Sequence, residues 1–146
     1  MLFRRHALAG LLVVASSFQT MLLAQVTTEQ PSGLRIELNA LKDVDGACRL
    51  TFFAQNMTEE EIDKAVFETV IFDATGGVVR LSLFDFRDLP AGRPRVRQFD
   101  LPGMACDMVG RALINGANSC VVAGAESKVC HEALSPSSRV EVELLG

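Results

Sequence analysis

Short runs in which apolar and polar residues alternate recur along most of the chain. In residues 34–41 the side chains of Leu34, Ile36 and Leu38 fall on one face and polar side chains on the other, which is the period of a half-buried β-strand. Similar runs, rich in β-branched and aromatic residues, cover 48–55, 66–73, 78–86, 93–101, 106–114 and 139–145. The pattern predicts about seven strands separated by short turns.

These strands predict an all-β fold, an immunoglobulin-like antiparallel β-sandwich over residues 34–146. Residues 66–73 are apolar on both faces, which is typical of a central strand. A glycine turn at Gly76 and Gly77 is expected to join this strand to the next one as a hairpin.

Two local motifs add detail to the strand pattern. Thr58 and Glu61 form a capping-box pattern, which predicts a single helical turn over 59–64. Asn115 and Gly116 form a turn signal, and we expect it to end the sixth strand.

The first residues have the layout of a secretory signal peptide. Arg4 and Arg5 form a basic start, an uncharged apolar run covers 7–15, and small residues follow. We therefore assign 1–24 to a signal peptide and the polar, turn-rich segment 25–33 to a flexible leader.

The signal segment leaves several alternatives open. Cleavage fits after Ser17 or after Ala24, and the stretch 7–24 is of marginal length for a retained membrane anchor. The Arg4-Arg5 pair also resembles a twin-arginine export signal. Both the twin-arginine route and the general secretory route lead out of the cytoplasm, so we expect a periplasmic or secreted protein.

The exported part of the chain is acidic. Without residues 1–24 it has 12 Lys and Arg against 18 Asp and Glu, a net charge of −6. An acidic domain repels polyanions, so we expect no nucleic-acid partner and no general binding to anionic membranes.

Four cysteines predict two disulfide bonds, since an even number of cysteines in a small exported chain indicates that they are paired in disulfides. In an immunoglobulin-like order the second and sixth strands start at the same end of the sandwich, which favours a Cys48–Cys106 bridge between sheets. Cys120 and Cys130 then form a local pair that closes a loop. A four-cysteine zinc site is the alternative, but the chain has no close Cys-x-x-Cys pair.

Two segments, 67–79 and 89–103, carry a family resemblance. A strand that ends in Phe72-Asp73, a glycine turn and a later Leu-Pro-Ala-Gly loop resemble the FxLYD-type domains of the bacterial envelope. The chain is also similar to proteobacterial proteins with twin-arginine-like signals. The resemblance implies an immunoglobulin- or fibronectin-like fold and an envelope location, and does not imply an activity.

No catalytic set is visible in the sequence. His131 is the one histidine of the exported part, and no nucleophile motif accompanies it. Glu68 lies inside an apolar strand, where it either faces solvent or pairs with Arg80 across the hairpin. We therefore expect a protein that is not an enzyme and needs no cofactor.

Acidic side chains offer an alternative binding chemistry. Asp85 and Asp88 would have to meet Asp43 or Asp45 at one end of the sandwich to hold calcium. The spacing is not that of an EF-hand calcium loop, so no metal ligand is assigned.

Arginines supply the leading candidate surface. Arg93, Arg95 and Arg97 recur at every second residue of a bulged edge strand, with Arg87 and Arg111 expected nearby. Such a stripe fits the carboxylates or phosphates of a partner. A charged edge strand that only prevents pairing with other chains is the alternative.

The sequence therefore predicts an exported, non-enzymatic interaction or accessory domain of the cell envelope. It would bind a protein partner through the arginine stripe or through an exposed sheet edge by strand addition. A periplasmic protein that binds a small ligand or calcium is the alternative. The sequence leaves the partner and the oligomeric state open.

Overall fold

A computed structural model of the chain describes residues 32–146. This range folds into two sheets of β-strands, with a 3-10 turn at Cys106–Met108 and one short helix, α1, at Val129–Glu132. The nine strands are β1 (Leu34–Val44), β2 (Ala47–Asn56), β3 (Ile62–Phe72), β4 (Val78–Leu89), β5 (Pro94–Pro102), β6 (Arg111–Val122), β7 (Ala125–Glu126), β8 (Leu134–Ser138) and β9 (Glu143–Leu145). The predicted all-β sandwich is confirmed. The predicted signal peptide at 1–24 and the leader residues 25–31 lie outside the described residues.

The first sheet has the strand order β5-β2-β1-β8. β1 and β2 form an antiparallel hairpin, and both residues of its turn have positive φ, 43° at Asp45 and 76° at Gly46. Two-residue turns of this kind match the right-handed twist of the strands that they join. In β2, Cys48, Leu50 and Phe52 are buried at every second position, as the sequence alternation predicts.

The second sheet has the order β4-β3-β6-β7, and β9 also pairs with β6. β3 is the central strand, as predicted, with antiparallel neighbours on both sides. It is buried on both faces, because Phe67 and Ile71 pack into the core while Val66 and Val70 are covered on the outer face.

Five phenylalanines join the two sheets. Phe52 of the first sheet contacts Phe84 and Phe86 of the second, with ring centroids 5.9 and 5.5 Å apart. The rings of Phe84 on β4 and Phe99 on β5 are stacked at 4.3 Å, and Phe67 meets Phe86 edge-on. These contacts hold β4 and β5 side by side, although the two strands belong to different sheets.

Two strand pairs are parallel, so the prediction of a wholly antiparallel sandwich is wrong at these places. β8 runs parallel to β1, and β9 runs parallel to β6. The chain leaves the first sheet after Ser138, whose hydroxyl donates a 2.6 Å hydrogen bond to the carbonyl oxygen of Val142. Because the end of the chain crosses between sheets in this bend, only Glu143–Leu145 of the predicted strand 139–145 pairs with a neighbour.

The helical turn predicted over 59–64 is absent, and β3 begins at Ile62. The buried side chain of Asn56 explains the difference. Its Oδ1 accepts hydrogen bonds from the backbone amide and the hydroxyl of Thr58, at 3.0 and 2.6 Å, and its Nδ2 donates to the carbonyl of Leu89 at 2.8 Å. Thr58 is thereby held in a bend that leads into the strand.

The sixth strand begins later and ends later than predicted. β6 continues through Asn115 and Gly116, with shifts in its register against β3, and Cys106 lies in the 3-10 turn before it. The side chain of Asn115 donates a 2.6 Å hydrogen bond to Glu68. Glu68 therefore pairs with β6, whereas Arg80, its expected partner, donates to the carbonyl of Pro102.

Candidate functional site

Both predicted disulfide bonds are present in the structure. Cys48–Cys106 joins the start of β2 to the 3-10 turn, with a Cα–Cα distance of 4.7 Å. Cys120–Cys130 joins β6 to α1, with a Cα–Cα distance of 5.9 Å. Residues 32–146 contain no free cysteine, so the alternative of a four-cysteine zinc site is wrong. Disulfide bonds form and persist in oxidising compartments, which places the chain outside the cytoplasm.

One side of the sandwich is left open by the described strands. β4 ends the second sheet and β5 ends the first, and the two edges lie next to each other. On the opposite side β7, β8 and β9 continue the sheets. The open side of β4 and β5 carries four of the five arginines proposed from the sequence.

Arg97 is a bridge between the two sheets. Its Nε donates a 2.7 Å hydrogen bond to the carbonyl oxygen of Phe86 on β4, and its second guanidinium nitrogen reaches the carbonyl oxygen of Asp88 at 3.2 Å. Arg95 pairs with the carboxylate of Asp88 at 2.9 Å. The hydrogen bond from Arg95, and then the positive charges of Arg95 and Arg97, hold the pKa of Asp88 below its usual value.

The five proposed arginines do not form one stripe. Arg95 and Arg97 are turned toward β4 and are only partly exposed, and Arg93 precedes the first residue of β5. Arg87 is exposed and has a positive φ of 60° at a shift in the β3–β4 register. Arg111 lies over the ring of Phe72 at 5.5 Å on β6 and β3. That these side chains bind a partner stays a prediction.

The acidic residues proposed for calcium do not meet. Asp88 contacts Arg95 and Arg97, which lie opposite the distal half of β2, whereas Asp43 is paired with Cys48 at the other end of that strand. The carboxylate of Asp43 accepts a 2.8 Å hydrogen bond from the amide of Cys106. Within residues 32–146 no three His, Cys, Asp or Glu side chains form a group that could hold a metal. His131 is exposed on α1.

A buried carboxylate lies on the outer face of the first sheet. Glu37 on β1 is 6% exposed, and it contacts the side chains of Arg35, Asn39 and Arg139. The hydrogen bond from Asn39 and the two guanidinium charges hold the pKa of Glu37 below its usual value, against the opposing effect of burial. The cluster ties β1 to the segment after β8.

Most of the large exposed apolar side chains of residues 32–146 lie on β4, and the others are Val96 and Met108. Leu81 is 60% exposed, Leu83 is 57% exposed and Val79 is 40% exposed. Leu81 and Leu83 point to the outer face of the second sheet, and Val79 lies beside them at a shift in the β3–β4 register; we call these three residues the β4 face. Leu81 lies opposite Val70, and Val70 lies opposite Leu113, whereas Leu83 lies opposite Glu68.

Sequence reasoning interpreted residues 78–86 as a hairpin strand and did not identify this surface. The sequence pattern nevertheless indicated it, because apolar residues occupy both the odd-numbered and the even-numbered positions of the strand. Phe84 and Phe86 face the core, while Leu81 and Leu83 occupy the alternate positions. A strand that is apolar on both faces is either covered on both faces or exposes one of them, and β4 exposes one.

No family model matches the chain, and neither does any curated protein. Among solved structures, that of IrmA from Escherichia coli matches with a TM-score of 0.57 and 10% sequence identity, over 73% of this chain and 92% of that chain. Within residues 32–146 no helix is long and apolar enough to cross a membrane. At 10% identity the likeness concerns the fold alone, so this chain is similar in fold to a β-rich bacterial domain.

Proposed function

We propose that the chain is an exported, non-enzymatic interaction domain of the bacterial cell envelope, and that it binds a protein partner through the β4 face. The observation that carries this proposal is the exposure of Leu81 and Leu83, each more than half accessible, at adjacent outward positions of one strand. Single exposed apolar residues are ordinary on protein surfaces, but contiguous apolar patches mark interaction sites.

The surroundings of the β4 face fit a protein partner. Val70, which is buried, and Leu113 lie beside it across the sheet, while Glu68, Asp85 and Arg87 give it a charged rim. An apolar centre with a polar rim is the usual anatomy of a protein–protein interface. The arginines of the open side are not part of this surface. Arg97 instead donates a hydrogen bond to the backbone of β4 and holds that strand in place.

The envelope assignment rests on chemistry and on resemblance. Two disulfide bonds suit a periplasmic or secreted protein, and the basic and apolar start of the chain suits an export signal of either type. The resemblance to FxLYD-type envelope domains points to the same compartment. These arguments concern where the domain works, and the β4 face concerns how it works.

Affinity capture from an envelope extract tests the proposal. We expect Leu83→Lys to lose the proteins that the unmodified domain retains, because a lysine would replace half of the exposed leucine pair with a solvated charge. Val96→Lys is the matched control, since Val96 is 59% exposed on β5 of the first sheet and is not part of the β4 face, although it lies near the rim residues Asp85 and Arg87. Capture of the same proteins by Leu83→Lys and by the unmodified domain would overturn the proposal.

A further inference from the structure

The outer face of the second sheet has a hollow close to the exposed leucines. Leu83 on β4 lies opposite Glu68 on β3, and Glu68 lies opposite Gly116 on β6. Residues that are directly paired in neighbouring strands project from the same face of a sheet, so these three positions form one row. Because glycine has no side chain, the row is open at Gly116, and we call this space the Gly116 hollow.

The Gly116 hollow has room for the end of a side chain. Its volume is about 320 Å³, and it is lined by Glu68 and by residues 115–118 of β6. A Cβ atom added to Gly116 would meet no other atom within 4 Å. The centre of the hollow is therefore free space, bordered by the carboxylate of Glu68.

Two bulges in β6 shape the border of the hollow. The register of β6 against β3 shifts on either side of the pairs formed by Phe67 and Glu68. At each shift β6 has one residue without a partner on β3, Asn115 at one and Asn118 at the other, and both are exposed. β-bulges re-aim side chains, and they are frequent next to active sites. Here they add two amide side chains to the carboxylate.

The carboxylate of Glu68 is half-buried and has no positive partner. Its Oε1 accepts the hydrogen bond from Asn115, and none of the ion pairs within residues 32–146 includes it. A protein that covers Leu83 also covers the carboxylate beside it. Because a carboxylate that loses its water is costly unless it is paired, such a partner has to supply a positive charge at this point.

We propose that the protein partner of the β4 face inserts an arginine side chain into the Gly116 hollow and pairs it with Glu68. The inference rests on the proposed function, because it gives the chemistry of the partner that covers the leucines. The bond between Asn115 and Glu68 uses Nδ2 and Oε1, which leaves Oδ1 and Oε2 as acceptors. A guanidinium has several N–H donors in one plane and can reach both. Arginine is also enriched at protein interfaces, whereas lysine is depleted.

The same row gives the layout of the partner's contact segment. Apolar side chains would lie over Leu81 and Leu83, and the arginine would lie two strands away. Neighbouring strands are about 4.8 Å apart, so Leu83 and Gly116 are about 10 Å apart, and one segment can reach both. The exported part of the chain, with 12 Lys and Arg against 18 Asp and Glu, also attracts a basic partner.

Nuclear magnetic resonance titration of the exported chain, with both disulfides intact, tests the inference. The probe is N-acetylarginine amide, and its matched control is N-acetylcitrulline amide, in which an uncharged urea group replaces the guanidinium. We expect saturable shifts of the Gly116 backbone amide and the Asn115 side-chain amide with the arginine compound. Binding of the citrulline compound should be weaker by about tenfold or more. No saturable shift, or equal binding of the two compounds, overturns the inference.

Two variants test the two features of the hollow. Glu68→Gln removes the charge and should weaken binding of the arginine compound by about tenfold or more, while Glu132→Gln, on the exposed surface of α1, should not. Gly116→Val fills the hollow and leaves the carboxylate in place. The backbone at Gly116 is not left-handed, and valine suits a strand, so this variant should fold and fail to bind. Unchanged binding by either Glu68→Gln or Gly116→Val contradicts the inference.

The two proposals fail separately. If Leu83→Lys loses its captured partner while the arginine compound does not bind at Gly116, the arginine site is wrong and the proposed function stands. If the arginine compound binds there while Leu83→Lys captures the same proteins as the unmodified domain, the proposed function is wrong and the arginine site stands as a separate binding site.

Discussion

Arg97 on β5 donates a hydrogen bond of 2.7 Å to the carbonyl oxygen of Phe86 on β4. This bond crosses from one sheet of the sandwich to the other. A second contact runs the opposite way, from Arg80 on β4 to the carbonyl of Pro102 on β5. The two arginines hold the open side together at both ends of the stacked pair Phe84–Phe99.

Replacing Arg97 should therefore destabilise the domain. We expect Arg97→Ala to lower the free energy of unfolding by about 2 kcal/mol, because a charged hydrogen bond is lost and the carbonyl oxygen of Phe86 loses its partner. Urea denaturation measures this change. Arg93→Ala, at an exposed position before β5, should change the free energy of unfolding by no more than about 0.5 kcal/mol. Equal effects of the two substitutions would show that Arg97 is not a bridge.

Glu37 makes the stability depend on pH. Its pKa in the folded state lies below the usual value, so the folded state favours the carboxylate. The stabilisation is complete above the unfolded-state pKa of about 4.3 and is lost as the pH falls through the folded-state pKa. At neutral pH, Glu37→Gln should lower the free energy of unfolding by about 1.5 kcal/mol, the contribution of a charged hydrogen bond.

The difference in the free energy of unfolding between Glu37→Gln and the unmodified domain should narrow steadily as the pH falls below about 4. Thermal or urea unfolding at a series of pH values measures it. Glu132→Gln, on the exposed surface of α1, serves as the control. A difference for Glu37→Gln that is constant from neutral to acidic pH would refute the assignment.

The two disulfides should contribute unequally. In the chain-entropy account a bond stabilises by restricting the unfolded chain, and the loops here have sequence separations of 58 and 10 residues. Replacing Cys48 and Cys106 by alanine should lower the free energy of unfolding by about 4 kcal/mol. Replacing Cys120 and Cys130 by alanine should lower it by about 3 kcal/mol. Denaturant unfolding of the two double variants gives the values. A larger loss from the Cys120–Cys130 pair would contradict this order.

Sequence reasoning predicted the elements whose alternation reflects burial. β1 and β2 were predictable because their apolar residues occupy every second position. These are Leu34, Ile36 and Leu38 in β1, and Leu50 and Phe52 in β2. The cysteine pairing followed from the expected order of strands. β8 was not predictable, since the sequence Leu-Ser-Pro-Ser-Ser of residues 134–138 has little strand preference and pairs only because the fold places it beside β1.

The bulge expected in the arginine-bearing strand is absent. Arg95 and Arg97 share their parity with Phe99 and Leu101, and a bulge was expected to turn the arginines outward. The pairing of β2 with β5 has no shift in register. The arginines therefore point the same way as the core residues, and they reach β4 because the sandwich is open at that edge. Long-range packing of this kind leaves no local signal.

In our proposal a protein partner binds to the β4 face in the cell. Site-specific photo-crosslinking measures this directly, with a photoreactive residue placed at Leu83 or, as the control, at Val96. We predict a discrete adduct with another protein from position 83 and none from position 96. Adducts from position 96 alone, or from neither position, would contradict it.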